Sequence, residues 1–182
     1  QKVIDIGANY GVYALSMAKS VGIDGTVWAF EPASRTADFL MESISENLFE
    51  NVILERAAIS SESGYAQLSL NIQSELNSIS KAESIITDFE KVKMYTLDDC
   101  MERNSWENIS FLKIDAEGEE SNILIGAQRF LTSNSPLIQY EIKAGFQLQL
   151  DLISEFAKYG YETYKLVPGI AVLIPFDSSE KI

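Results

Sequence analysis

One stretch near the start of the chain, Val3 to Tyr13 (VIDIGANYGVY), constrains the possible folds more than any other. Val3, Ile4 and Ile6 read as an apolar strand that ends in a turn holding Gly7 and Gly11, and the turn opens directly into a helix carrying Leu15, Met17 and Ala18. Without a Cβ at Gly7 and Gly11 the backbone can turn sharply, and a ligand can approach amides that point outward at a helix N-terminus. A strand, turn and helix in this arrangement start a doubly wound α/β sheet, in which ligands bind beyond the carboxyl ends of the strands. The spacing is not that of a dinucleotide loop, G-x-G-x-x-G. Here Gly7 is followed by Asn9 and Gly11, and Asp5 stands inside the strand end. A carboxylate at that point disfavours a bound pyrophosphate and favours a ligand with an ammonium group.

Composition narrows the partners. The chain has 182 residues, 46% of them hydrophobic, and no apolar run long enough to span a bilayer, so a single soluble globular domain over 1–182 is expected, with no membrane partner. A net charge of −13 with no basic cluster repels phosphate backbones, which leaves a small molecule rather than nucleic acid as the partner. Cys100 is the only cysteine, which fits a reducing, cytoplasmic setting. Histidine is absent, removing His general bases, Ser-His-Asp triads and the commonest transition-metal ligand. Because the chain starts at Gln1, two residues before the first strand, N-terminal cap elements over a site are expected to be missing. Nothing in the composition fixes an oligomeric state.

Further along, Thr26 to Phe30 reads as a second strand with Glu31 at its carboxyl end, 24 positions after Gly7. Rossmann-type folds place an acid there to accept hydrogen bonds from ribose hydroxyls. Ala37, Leu40, Met41, Ile44 and Leu48 recur at helical spacing and are expected to be core. Asn51 to Glu55 gives a third strand. Gly64 to Leu70 alternates apolar and polar residues and is expected to pair with Lys91 to Tyr95. The intervening Asn71 to Asp88, rich in Ser, Glu and Asn, reads as a loop over the site, and Thr96-Leu97-Asp98-Asp99 has the form of a capping box. Ile109 to Ile114 is a buried strand, and Asp115, Glu117 and Glu119 follow as it exits. Carboxylates at the carboxyl end of a central strand face the ligand crevice. Glu119 and Glu120 can also serve the dipole of the helix that follows, with Ile123, Leu124, Ala127, Phe130 and Leu131 on it. A closing helix (Leu152, Phe156) and a Pro168-Gly169 turn between apolar runs indicate a terminal antiparallel hairpin.

Two blocks carry a family resemblance. D-I-G-A-N-Y-G (Asp5 to Gly11) resembles the first motif of class I S-adenosylmethionine-dependent methyltransferases, and K-I-D-A-E-G-E (Lys113 to Glu119) closely resembles the K-I-D-x-E-G-x-E block of the FkbM-type family. T-L-D-D (Thr96 to Asp99), the serine-containing Leu76 to Ser80, and P-L-I-Q-Y-E-I (Pro136 to Ile142) with its terminal Glu141 resemble further family wording, so the likeness spans nearly the whole chain. The resemblance implies a single mostly parallel, seven-stranded Rossmann-like sheet ending in an antiparallel hairpin. It also implies S-adenosylmethionine as cofactor and O-methylation of a small-molecule acceptor, a sugar or natural product. Asp5, Gly7, Asn9, Gly11, Glu31, Ala58 and Asp115 are then the cofactor-binding candidates, with Asp5 at the amino-acid end, Glu31 at the ribose and Ala58 near the adenine. Asp115, Glu117 and Glu141 are the catalytic candidates. With no histidine, a hydroxyl acceptor must lose its proton to a carboxylate, a lysine, a tyrosine or water, and the strand-end cluster supplies the carboxylates. The same three acids can instead hold Mg²⁺ or Ca²⁺, but a metal-free role is expected because the sulfonium already brings positive charge. An NAD-dependent oxidoreductase and a catalytically silent cofactor-binding module are the other two classes. The missing G-x-G-x-x-G counts against the first, and binding without turnover across an acceptor panel would identify the second.

Overall fold

The computed structural model describes residues 1–70, 78–79, 89–144, 147–167 and 169–176, which fall into two compact units, Gln1–Glu141 and Ile142–Ile182. In the first unit the chain runs β1 (Lys2–Ile6), α1 (Val12–Val21), β2 (Thr26–Phe30), α2 (Ser34–Glu46), β3 (Val52–Glu55), β4 (Ala57–Ile59), β5 (Gly64–Ser69), β6 (Ser78–Ile79) and β7 (Phe89–Tyr95). It continues through α3 (Leu97–Asn104), β8 (Ile109–Ile114), α4 (Glu120–Ile125), α5 (Gln128–Asn134) and β9 (Leu137–Tyr140).

The expected doubly wound sheet is there, with strand order β3-β2-β1-β8-β9 and every pairing parallel. The chain builds outward from β1 through β2 and β3, then returns to the other flank of β1 with β8. The carboxyl ends of β1 and β8 therefore form the switch point where such sheets bind ligands. The pairing joins five strands among the described residues, so the expected count of seven is not reached.

A second sheet has strand order β4-β7-β5-β6. The antiparallel pairing of β5 with β7 is as expected, Gly64 opposite Met94 through Ser69 opposite Phe89. What the periodicity does not reveal is that the chain leaves the first sheet at Arg56 and pairs Ala57–Ile59 in parallel with Lys93–Tyr95. Apart from Ser78–Ile79, which pairs with Leu68–Ser69 as β6, the expected loop over Asn71 to Asp88 lies outside the described residues. So does most of Leu76 to Ser80.

Packing follows the apolar stripes with two corrections. Ala14 and Ala18 of α1 and Leu40 and Ile44 of α2 join Val3, Val27 and Ala29 in one buried cluster. Met41 (40% exposed) and Leu48 (84%) are not core. The α2 stripe runs Thr36, Ala37, Leu40, Ile44, leaving Met41 on its flank, and the helix has ended before Leu48, which takes φ 56°. Trp106 fills the other side edge-on, its ring centroid 5.3 Å from Trp28, 6.3 Å from Phe30 and 6.0 Å from Phe130.

The capping box forms in modified shape. Thr96 Oγ1 accepts from the Asp99 amide at 2.9 Å, but the return arm is relayed: Ser63 Oγ accepts from the Thr96 amide and donates to Asp99. Asp98 serves a different helix, accepting from the amides of Phe130 (2.8 Å) and Arg129 (3.2 Å). That accounts for a break the sequence did not announce. The apolar run Ile123 to Leu131 is two helices, divided at Gly126–Ala127, with α5 capped from a distance by Asp98.

The second unit holds β10 (Lys143–Ala144) paired with β11 (Gln147–Leu148), α6 (Asp151–Ala157), and β12 (Tyr164–Val167) paired antiparallel with β13 (Val172–Pro175). This last pair is the expected terminal hairpin. Among the described residues no helix is long and apolar enough to cross a membrane.

Candidate functional site

A cavity of about 340 Å³ opens at the switch point, lined by Gly7 to Tyr10 from the β1–α1 turn, Phe30 to Pro32 after β2, Ala57 to Ile59 of β4, and Asp115 to Glu117 after β8. Two glycines of the turn are required by packing. Gly7 (φ +74°) lies so close to β8 that a Cβ there would fall on the Asp115 carbonyl oxygen. Gly11 (φ +92°), the N-cap residue of α1, lies outside the lining, and a Cβ on it would strike Leu40 of α2. The amides of Gly7 and Ala8 both donate to the Phe30 carbonyl, at 3.1 and 3.0 Å, so the turn is tied to the end of β2.

That tie sets up Glu31. Its Oε2 accepts from the Asn9 amide at 3.0 Å and its Oε1 from the Ala33 amide at 2.8 Å, with Asn9 held at φ 49°. Glu31 is only 6% exposed, and burial pushes its carboxyl up from the ordinary glutamate value while the two amide bonds pull it back part of the way. Each oxygen keeps a lone pair beyond its amide bond, which is what a ribose diol requires of an acceptor. Ala58, with Phe30, Ile59 and Leu68, contributes to an apolar wall beside it.

The floor is ionic. Lys113, its side chain 4% exposed, donates to Asp115 Oδ2 at 3.1 Å and faces Asp5 Oδ1 at 3.4 Å, while the Tyr13 ring lies 4.8 Å from Nζ. Asp5 is fully buried, lies directly across from Lys113 in the β1–β8 register, and does not line the cavity. In this fold it pairs with Lys113 from behind the lining. Desolvation pushes the Asp5 carboxyl up, and the Lys113 ammonium pulls it partly back. The missed signal for Lys113 was its place: a charged residue between Leu112 and Ile114 in a parallel strand covered on both faces needs a buried partner.

Past β8 the acidic residues divide by role. Asp115 and Glu117 line the cavity, the latter at φ 48°. Glu120, 3% exposed, ties the turn by accepting from the Ala116 and Gly118 amides at 2.9 and 3.0 Å. Glu119 also lines the cavity, and its Oε2 accepts from Ser60 Oγ (2.8 Å) and Asn122 Nδ2 (2.9 Å), joining the second sheet to α4. Glu141 follows β9, its amide donating to the Ile114 carbonyl at 3.3 Å, but it is exposed and outside the lining, so the fold does not bring it together with Asp115 and Glu117. Among the described residues, no three His, Cys, Asp or Glu side chains are grouped to hold a metal ion.

Four carboxylates, Glu31, Asp115, Glu117 and Glu119, thus face one ammonium, Lys113, across the described lining. Such a wall disfavours anionic ligands and suits a cation with a neutral, apolar-faced ring system.

Known proteins bear out the architecture. A methyltransferase FkbM from Methylobacillus flagellatus KT matches at a TM-score of 0.65 with 17% sequence identity, over 87% of this chain and 37% of that one. A precorrin-6y C5,15-methyltransferase from Geobacter metallireducens GS-15 matches at 0.50 with 13% identity, over 96% and 73%. At these identities the likeness is one of fold, and the chain spans little more than a third of the FkbM structure's length. No curated protein matches it in sequence. The profile of the methyltransferase FkbM domain matches residues 5–163, which takes in both motif blocks and every lining residue named above, and the chain belongs to that family.

Proposed function

We propose that the cavity binds S-adenosylmethionine and that the chain transfers its methyl group to a hydroxyl oxygen of a small-molecule acceptor, a sugar or natural product. The observation that carries this is the anionic lining at the switch point of a parallel sheet, beside a buried acid poised for a diol. The same lining opposes the pyrophosphate of NAD. The residues present fit the cofactor's parts. Glu31 is suited to the ribose hydroxyls, the Phe30, Ala58, Ile59 and Leu68 wall to an adenine ring, and the carboxylates at the floor to an amino group and a sulfonium.

The cofactor supplies an activated methyl, so displacement needs little covalent help from the protein. It needs alignment and, for a hydroxyl acceptor, somewhere for the proton to go. Asp115, held on one side by Lys113, and Glu117, on a turn that Glu120 fixes, are the groups to orient the hydroxyl and accept that proton. Glu141, outside the lining, is given no part in it.

Calorimetry tests the cofactor half. S-adenosylhomocysteine should bind and NAD should not; tighter binding of NAD would sink the proposal. Incubating candidate hydroxyl acceptors with methyl-labelled cofactor, followed by mass spectrometry, tests the transfer half.

A further inference from the structure

A wall of four carboxylates and one ammonium also determines which charge on a ligand it prefers, and Lys113 is the single cation in that described lining. We propose that Lys113 is a specificity-determining residue that sets how strongly the cavity prefers a sulfonium ligand to the neutral sulfide left when the methyl has gone. The inference rests on the S-adenosylmethionine reading.

Those two ligands share their adenosine and amino-acid parts and differ at sulfur by one methyl and one positive charge. Carboxylates on the wall favour the charged form, and an ammonium beside them opposes it. A surface lysine would swing into water and be screened, but Lys113 has no such freedom. Asp5 holds it from behind at 3.4 Å, Asp115 from the cavity side at 3.1 Å, and the Tyr13 ring stands 4.8 Å away. Asp5, itself fully buried, is the counter-charge that sets how much of that ammonium the cavity feels. For a separation of about 8 Å and an effective dielectric of about 30, adding or removing one such charge changes a binding ratio about tenfold.

Removing Lys113 alone would strand Asp5, so the informative comparison is between D5N and D5N/K113M, with D5N/K113Q as a polar counterpart that keeps the test open should methionine not fold. Calorimetry with S-adenosylmethionine and S-adenosylhomocysteine gives the ratio of affinities. D5N should lower the preference for the sulfonium, because Lys113 loses its screen, and adding K113M or K113Q should raise it about tenfold over D5N. An unchanged ratio, with both affinities moving together, overturns the proposal and leaves Lys113 a filler of the sheet. A wild-type chain that binds neither ligand sinks the cofactor reading and this inference with it, whereas one that binds both with an unmoved ratio sinks this inference alone.

Discussion

Substituting Gly7 with alanine should damage the fold more than the same change at any other left-handed glycine in the site. Gly7 and Gly118 both take positive φ, +74° and +102°, but a Cβ at Gly118 meets nothing within 4 Å whereas one at Gly7 falls on the Asp115 carbonyl oxygen. Left-handed backbone costs an alanine about 1–2 kcal/mol, and Gly118→Ala should show that much alone. Gly7→Ala adds an overlap with main chain, which no rotamer change relieves. The turn must move, and with it the two amides that donate to Phe30, worth about 0.5–1.5 kcal/mol each. About 2–5 kcal/mol in total follows, a large share of the 5–15 kcal/mol typical of a domain. Gly11→Ala should fall between the two, because its obstacle is the end of a Leu40 side chain. Urea denaturation of the three variants measures the order directly. Equal losses for Gly7→Ala and Gly118→Ala would refute the close approach of β1 and β8.

Other outcomes follow from the site. Glu31→Ala should weaken S-adenosylhomocysteine binding by about 1–3 kcal/mol in calorimetry, the value of a charged acceptor lost by two hydroxyls. Because burial pushes the Glu31 carboxyl up, wild-type binding should weaken on acidification at a pH above the ordinary glutamate value of 4.5, and the Ala variant should lack that limb. Asp115→Asn and Glu117→Gln should each lower turnover at saturating cofactor by about 10²–10⁴; wild-type turnover in both would remove them from the proton transfer. Burial pushes the Cys100 thiol up to about 12, so iodoacetamide at pH 8 should alkylate the folded chain far more slowly than the unfolded one, as read by intact mass.

What the sequence made legible was whatever follows from local pattern. The β1–α1 turn, the acid at the end of β2, the capping threonine and the terminal hairpin each rest on residues within a few positions of one another, and each is found. The misreadings share a cause, which is that a partner arrives from far along the chain. Asp98 caps a helix about thirty residues on, Ser63 takes one arm of the capping box, and β4 abandons its neighbour to pair with β7. The partner of Asp5 is equally remote, Lys113 on a strand more than a hundred residues along the chain. Packing adds a second demand on the glycines: a Cβ on Gly7, which lines the cavity, would fall on the Asp115 carbonyl oxygen, and one on Gly11 would strike Leu40.

The two motif blocks therefore act as one physical unit. Asp5 sits opposite Lys113 in the strand register, and two residues on, Gly7 makes room for the main chain of Asp115. Ion pair and close approach lie on adjacent central strands, so the position of Asp115 in the cavity is set from both blocks at once. A buried pair of this kind need not add net stability over an apolar pair of similar size, yet removing one member is costly because the other is left charged in a dry site. The pair should therefore be strongly non-additive. Asp5→Asn and Lys113→Met should each destabilise by about 3–5 kcal/mol, and the double variant by clearly less than their sum, with a coupling of at least about 2 kcal/mol in urea denaturation. Additive losses would mean that the two charges do not depend on each other, and that Lys113 is held by Asp115 and the Tyr13 ring alone.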